Sequence, residues 1–349
     1  MFEYSGALHI HSFFSDGSGD PKEIAGYADE VNLDYIILTD HNTLRALDEG
    51  YEGWYGDTLM LVGCEINDKH IQNHYLALGI NETISTRLPA KEYVKLVKER
   101  GGIGFLAHPH EKRSSMEEHP PYPWTEWDTD DFTGIEIWNH MSEWMEGLTE
   151  QNKFQYFIHP LRSIDRPPSE TLAKWDEIAQ KRRIVGIGGV DAHAHKVNLI
   201  GFFEVEVFPY KVLFKSVRTH ILTDKKIVKG DKKEDVENAK TLLYDSLRNG
   251  RCFVSNYYHG DAFGFRFFAE AEEGIFQMGD DVPLSDDVKL RVSVPGDGAQ
   301  IKLLRNGEVI DELENVDALF FVKEPGAYRI EVFLEGKAWI YSNHIRVGL

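Results

Sequence analysis

Up to about residue 256 the chain alternates short, continuous apolar runs with longer stretches in which apolar residues recur every three or four positions. The runs at 34–40 (DYIILTD), 58–66 (TLMLVGCEI), 74–80 (HYLALGI), 103–109 (IGFLAHP), 134–139 (GIEIWN) and 184–193 (IVGIGGVDAH) have the length of strands and little polar alternation. That pattern predicts strands buried on both faces. Amphipathic helices fit between them. The stretch 20–32 (DPKEIAGYADEVN) opens on an aspartate before Pro21, an N-cap followed by a first-turn proline; 89–102 (PAKEYVKLVKERGG) closes on glycine; and 168–183 carries Leu172, Trp175 and Ile178 at helical spacing. Strands alternating with helices predict an α/β fold with mainly parallel strands.

The pattern changes near Phe265. Segments such as VKLRVSVPG, AQIKLLRNGEVIDEL, GAYRIEVFLEG and KAWIYSNHIRV alternate apolar and polar residues and are separated by Gly, Asn and Asp turns, with RNGE as a hairpin signal. These predict a small all-β sandwich that serves in packing or association. The charged helix ending at Gly250 and the apolar RCFVSN after it close the first unit. The expected division is therefore 1–263 and 264–349.

Composition limits the function. The 38 Lys and Arg are outnumbered by 58 Asp and Glu, a formal charge of −20 in 349 residues. No electrostatic footprint for a nucleic-acid polymer is expected from that balance. Cys64 and Cys252 are too few for a disulfide framework, and MFEYSGALHI shows no basic segment leading into an apolar stretch. No apolar run approaches a membrane-spanning length of about 18 residues. The expectation is a cytoplasmic protein without a membrane partner.

The polar exceptions within the apolar runs fall at strand ends. His9 and His11 stand in LHIHSFFSDG with Asp16 just beyond; Asp40 and His41 follow YIILT; Glu65 follows LMLVGC; His108 follows IGFLA; Asp191 and His193 follow IVGIGGV. In a barrel of parallel strands the carboxyl ends share one face, where residues distant in sequence meet. Imidazole and carboxylate together suit zinc, manganese or iron. Alternate residues of a strand point the same way, so His9 and His11 can grip one ion, as can Asp191 and His193. Eight donors exceed the four to six that one ion takes, which favours two or three ions sharing a carboxylate, with Glu65 the natural bridge.

Taken in order, HIHSFFSDG, LTDHN, GCE, AHP and GVDAHAH resemble the successive motifs of the PHP (polymerase and histidinol phosphatase) superfamily over roughly residues 5–200. The resemblance implies a distorted seven-stranded β/α barrel with a metal centre of two or three ions, in proteins that mostly hydrolyse phosphoesters. It implies that His9, His11, Glu65 and Asp191 hold one ion and that Asp16, His41 and His193 hold another. A third would use His108, Glu65 and one further donor, His140 ahead of Glu136. His74 matches a recurrent histidine that either completes a metal shell or gives a proton to the leaving group. Glu65, His74 and Asp191 are thus the expected catalytic set. Asp40 is expected behind His41, bonded to its other ring nitrogen. The C-terminal strands resemble the immunoglobulin-like tail that follows some PHP barrels.

Outside the metal shell, Arg113 in HPHEKR and Lys196 after DAHAH are candidates to hold a phosphate or carboxylate, and the Pro- and Trp-rich stretch 114–132 is a candidate wall of the pocket. His70, His110, His119, His159 and His195 sit on no equally clear template. The expected activity is metal-dependent hydrolysis of a small phosphorylated metabolite or nucleotide by an activated hydroxide. The alternatives are a metallohydrolase of carboxyl esters, amides or carbamates, and a non-catalytic, metal-stabilised binding protein. Two or more basic side chains beside the ions would favour phosphoesters. A dry, apolar pocket would favour carbonyl substrates.

Overall fold

A computed structural model describes residues 1–113, 120–198, 204–230 and 232–349. The architecture is mixed α/β, with one large sheet and a C-terminal antiparallel β region. Seven strands lie side by side in the order Phe2–Ile10, Tyr35–Leu38, Thr58–Ile66, Tyr75–Leu78, Ile103–Leu106, Gly134–Asn139 and Val185–Gly189. Beyond the last of these, Val190 N–H donates to the Leu8 carbonyl at 3.0 Å and His11 N–H to the Ala192 carbonyl at 3.0 Å. The seventh segment is thereby tied back to the first.

The expected helices form where their end signals stand. Asp20 caps Pro21–Glu30 by accepting from Lys22 N–H at 2.7 Å, and Pro21 fills the first turn. The Lys233–Asn249 helix ends on Gly250 at φ 72°, a left-handed cap that glycine adopts without penalty. Ala90, Tyr93, Val94 and Val97 of the Ala90–Glu99 helix are buried, as its spacing predicts.

Within these seven, one strand departs from the parallel expectation. Tyr75–Leu78 runs antiparallel to both Thr58–Ile66 and Ile103–Leu106. The 67–74 connection contains no helix and is too short for a parallel crossover, which needs about a dozen residues. Because this strand is reversed, its leading end lies beside the carboxyl ends of its neighbours. His74 thus reaches the same face as Glu65 and His108.

Cys252–Asn256 pairs with Val217–Thr223 on one side and with Lys337–Ser342 on the other, so the large sheet continues into the C-terminal region. There it faces a second sheet made of Gly274–Gln277, Arg266–Ala271, Lys289–Ser293 and Asp317–Phe321. Phe265, Phe267, Ile301, Ile330 and Trp339 fill the space between the two sheets. The expected hairpin forms at Asn306 and Gly307, both at positive φ, between the paired residues Arg305 and Glu308. Asp176 on the Ser169–Ala179 helix ties this region to the α/β part: it accepts from Arg329 at 2.7 and 2.8 Å and lies 2.7 Å from His344, all three side chains being buried. No helix among the described residues is long and apolar enough to cross a membrane.

Candidate metal centre

Among the described residues, nine side chains offer ligand atoms in overlapping groups, each group within 4.8 Å: His11, Asp16, His41 and His193; His9, His11 and Asp191; His9, Glu65 and His108; His41, Glu65 and His74. Glu65 is the hub. Its Oε2 lies 3.1 Å from His9 Nε2, 3.2 Å from His11 Nε2 and 3.2 Å from His41 Nδ1, while its Oε1 lies 2.8 Å from His74 Nδ1 and 3.4 Å from His108 Nε2. Asp191 Oδ1 stands 3.4 Å from both His9 Nε2 and His11 Nε2. Asp16 faces His193 at 3.3 Å and His41 at 3.6 Å from a half-exposed loop.

The backbone bends to bring these groups together. His9, His108 and Asp191 have φ of 63°, 27° and 54°, a region costly for residues with a Cβ and found where function over-determines the geometry. At His9 the register with Tyr35–Leu38 slips, a bulge that turns its ring toward Glu65 while His11 reaches the same carboxylate. The Asp16 loop is pinned by Tyr210, whose hydroxyl sits 2.7 Å from the His11 carbonyl and 3.0 Å from that of His193 and accepts from Gly19 N–H at 3.0 Å.

Electrostatics set the charge of the centre. Burial alone would neutralise Glu65 and Asp191, but the surrounding imidazoles hold both well below the usual carboxylate range. Burial opposes protonation of His11 as well, yet Asp191 and Glu65 push it up to about 10; His108 rises to about 9 through Glu111 and Glu65. His41, half-buried and with its ring only 4.4 Å from that of His11, is pushed down to about 3, chiefly by desolvation. The pocket of buried anions therefore demands positive charge.

The fit to metal ions can be tested on the donors themselves. His9 Nε2, both ring nitrogens of His11, His41 Nδ1, His74 Nε2 and Glu65 Oε2 are buried without a hydrogen-bond partner. Buried polar atoms are almost always paired, so this concentration of unpaired donors aimed at one another fits a set of ions between them. Nine donors also exceed one ion's coordination number.

His140 lies in none of the four donor groups among the described residues. It starts the His140–Gly147 helix, where its ring is buried beside Phe208 and pushed down to about 3 by burial. Glu136, the second choice, instead accepts or shares a proton with His9 Nδ1 at 2.9 Å and accepts from His108 N–H at 2.8 Å. It supports two donors from behind, and a Cβ at Gly189 would collide with its carboxylate. Asp40 also takes a different role from the expected one. It bonds not to His41 but to Ser12 N–H, Ser12 Oγ and Ser15 Oγ at 2.7, 2.7 and 2.6 Å, which shapes the turn that presents Asp16.

Two supporting residues were not anticipated. The Asn139 amide donates to Glu136 and Asp191 at 2.9 and 3.2 Å, while its carbonyl caps the next helix through Ser142 N–H at 2.8 Å. Buried Glu111 accepts from Arg113 at 3.0 and 2.6 Å and from Ser142 Oγ at 2.8 Å. Asn139 ending a strand is a recognisable N-cap signal, whereas nothing in HPHEKR distinguishes Glu111 from a surface charge.

A cavity of about 350 Å³ opens over this centre. His41, Glu65, His74, His108, Asp191 and His193 form its floor, Arg113 and Tyr122 one side, and Met141, Trp144, Met145, Phe157 and Phe208 the other. Exposed His195, stacked on His193 at 4.9 Å, reaches the rim. Lys196 does not line it. Tyr122 supplies part of the wall expected from 114–132; residues 114–119 lie outside those described.

Residues 7–122, which carry seven of these nine donors, His74 among them, match the family model described as "PHP domain". The match covers a third of the chain, the third that carries most of the donors. The remaining donors, Asp191 and His193 together with their neighbours, come from sequence beyond the matched PHP stretch. An uncharacterized protein of Methanocaldococcus jannaschii is 28% identical over 116 residues, 30% of this chain and 66% of that relative's length, just short of two thirds. Among solved structures, a two-domain protein from Bacteroides vulgatus containing a predicted PHP-like metal-dependent phosphoesterase aligns at 15% identity and TM-score 0.41, over 99% of this chain and 95% of that one. An amidohydrolase from Chromobacterium violaceum with bound sulfate and no metal aligns at 14% identity and TM-score 0.32, over 54% and 87%.

Proposed function

We propose that this protein is a metal-dependent hydrolase whose first substrate class is the phosphoester. The observation that carries this reading is the single buried carboxylate of Glu65 shared by five imidazoles, with Asp191 and Asp16 completing adjacent donor groups. In this reading His9, His11, Glu65 and Asp191 hold one divalent ion and Asp16, His41 and His193 a second, with zinc, manganese and iron the candidates; His108 and Glu65 begin a third position. The tie from residues 190–192 back to the first strand supports a distorted seven-stranded barrel as the frame that brings these donors together. Ions bound here would supply an activated water and draw charge from the reacting oxygen.

The chain's own groups do the rest. Glu65 and Asp191 stay anionic and fix the charge of the site. His74, anchored through Nδ1 on Glu65 and with Nε2 unpaired at the cavity floor, is placed to give a proton to the leaving oxygen. Arg113, held by Glu111 and 5.4 Å above the Tyr122 ring, faces a nonbridging oxygen of the substrate.

One observation favours a second reading, hydrolysis of a carboxyl ester, amide or carbamate. Among the described lining residues Arg113 is the sole Lys or Arg, and most of the opposite wall is apolar. The test is a metal-loaded panel of phosphomonoesters, phosphodiesters, carboxyl esters and carbamates. Turnover confined to the phosphate panel supports the first reading, turnover confined to the carbonyl panel the second, and turnover of neither refutes a hydrolase.

A further inference from the structure

We infer that the substrate carries a flat apolar group of one or two rings, joined to the hydrolysed bond and lodged against the Trp144 wall; this rests on the hydrolase reading above. The wall is built for that purpose by local sequence. Asn139 caps the His140–Gly147 helix while bonding to Glu136 and Asp191, so the helix starts at a fixed place beside the metal donors. Met141, Trp144 and Met145 then recur at i, i+3 and i+4, which places them on one helix face. That face meets the cavity. Phe208 stands edge-on to Trp144 at 4.8 Å and Phe157 at 5.3 Å, forming an aromatic corner.

Trp144, Met145 and Phe208 are largely buried behind this corner, so a ligand meets it chiefly through the partly exposed Met141 and Phe157, and it finds no hydrogen bonds there. The Trp144 indole N–H is already spent on the Tyr156 carbonyl at 3.2 Å. A sugar or other polyhydroxylated group placed here would lose water from its hydroxyls and find no partners, an unfavourable exchange. An aromatic or fused-ring group gains burial at every contact, and the two methionines can adjust to its outline. At about 350 Å³ the cavity is near the small end of ligand sites, which leaves room for the reacting group and little more than two rings. This narrows the expected substrate away from nucleotides and sugar phosphates.

Aryl esters also have better leaving groups, so the test must match leaving-group basicity. The metal-loaded full chain is given 2-(1-naphthyl)ethyl phosphate and ethyl phosphate, and the corresponding acetates, because all four release a primary alcohol. The naphthyl member should show at least about 30-fold higher kcat/KM within whichever pair is hydrolysed. Equal rates, or preference for the ethyl ester, overturn the inference. Binding is measured independently of turnover with 2-(1-naphthyl)ethanol by calorimetry. It should bind the wild type and bind the M141Q/M145Q double variant at least about 10-fold more weakly, with metal content unchanged. No binding to wild type, or equal binding to both, overturns the inference. Binding lost in the variant, with no ester hydrolysed, upholds the apolar subsite and refutes the hydrolase reading instead.

Discussion

Replacing Glu65 by glutamine removes one charge from the centre of five imidazoles while keeping the side chain's size. All five approach its oxygens within 2.8–3.4 Å, so no other carboxylate in the site has comparable reach. At about 4 Å and an effective dielectric of about 20, a unit charge and a divalent ion attract by about 8 kcal/mol. Desolvation and the lone pairs that an amide oxygen retains offset most of this. A net loss of about 2 kcal/mol per ion corresponds to about 30-fold in affinity. Glu65→Gln should therefore lose at least one ion in competition with a chelator and most turnover with it, while far-UV circular dichroism stays that of the wild type. The assay is elemental analysis after dialysis against graded chelator, with hydrolysis measured on the same samples. Full metal content together with the wild-type rate would refute the shared-carboxylate argument.

Other expectations follow from the same geometry. His74→Ala should keep two ions and slow turnover most for esters of poorly acidic alcohols, because a proton donor matters most there; loss of all metal would make His74 a ligand instead. His11 at about 10 and His108 at about 9 hold protons in the metal-free fold above the ordinary histidine value of about 6.5. Their contribution to metal-free stability is full below about pH 6.5 and is lost as pH rises through those values, whereas bound ions replace the protons. The gain in Tm on adding metal should thus widen from pH 6.5 to 8.5, and a gain that narrows would contradict the assigned directions. Asp176→Asn weakens the pairing of the buried Arg329 guanidinium and His344, and should cost about 3–5 kcal/mol in urea unfolding. A cost under about 1 kcal/mol would show that this link between the helix and the C-terminal strands is dispensable.

Most of the donor set was readable because each member is a polar residue ending an apolar strand, and such exceptions are informative one by one and compelling in order. His9, His11, Asp16, His41, Glu65, His108, Asp191 and His193 all converge. What sequence could not settle was direction. His74 depends on a strand reversed by a short connection, which periodicity alone does not reveal. Glu136 and His140 differ by four positions across a strand-to-helix junction with a register slip, so local alternation could not say which ring or carboxylate turns inward. Asp40 was placed behind its neighbour in sequence, whereas the fold gives it two serines from another loop. The apolar wall was invisible for a different reason: Met141, Trp144 and Met145 have the spacing of any core-facing helix, and Phe157 and Phe208 reach them only through tertiary packing.

The central claim is that these donors form one cluster that holds several ions. It is tested most directly by metal analysis of the full chain reloaded with zinc, manganese or iron and freed of excess ion. The geometry predicts at least two tightly held ions per chain, and loss of hydrolysis when they are removed by chelation. A saturated protein holding one ion or fewer would contradict it.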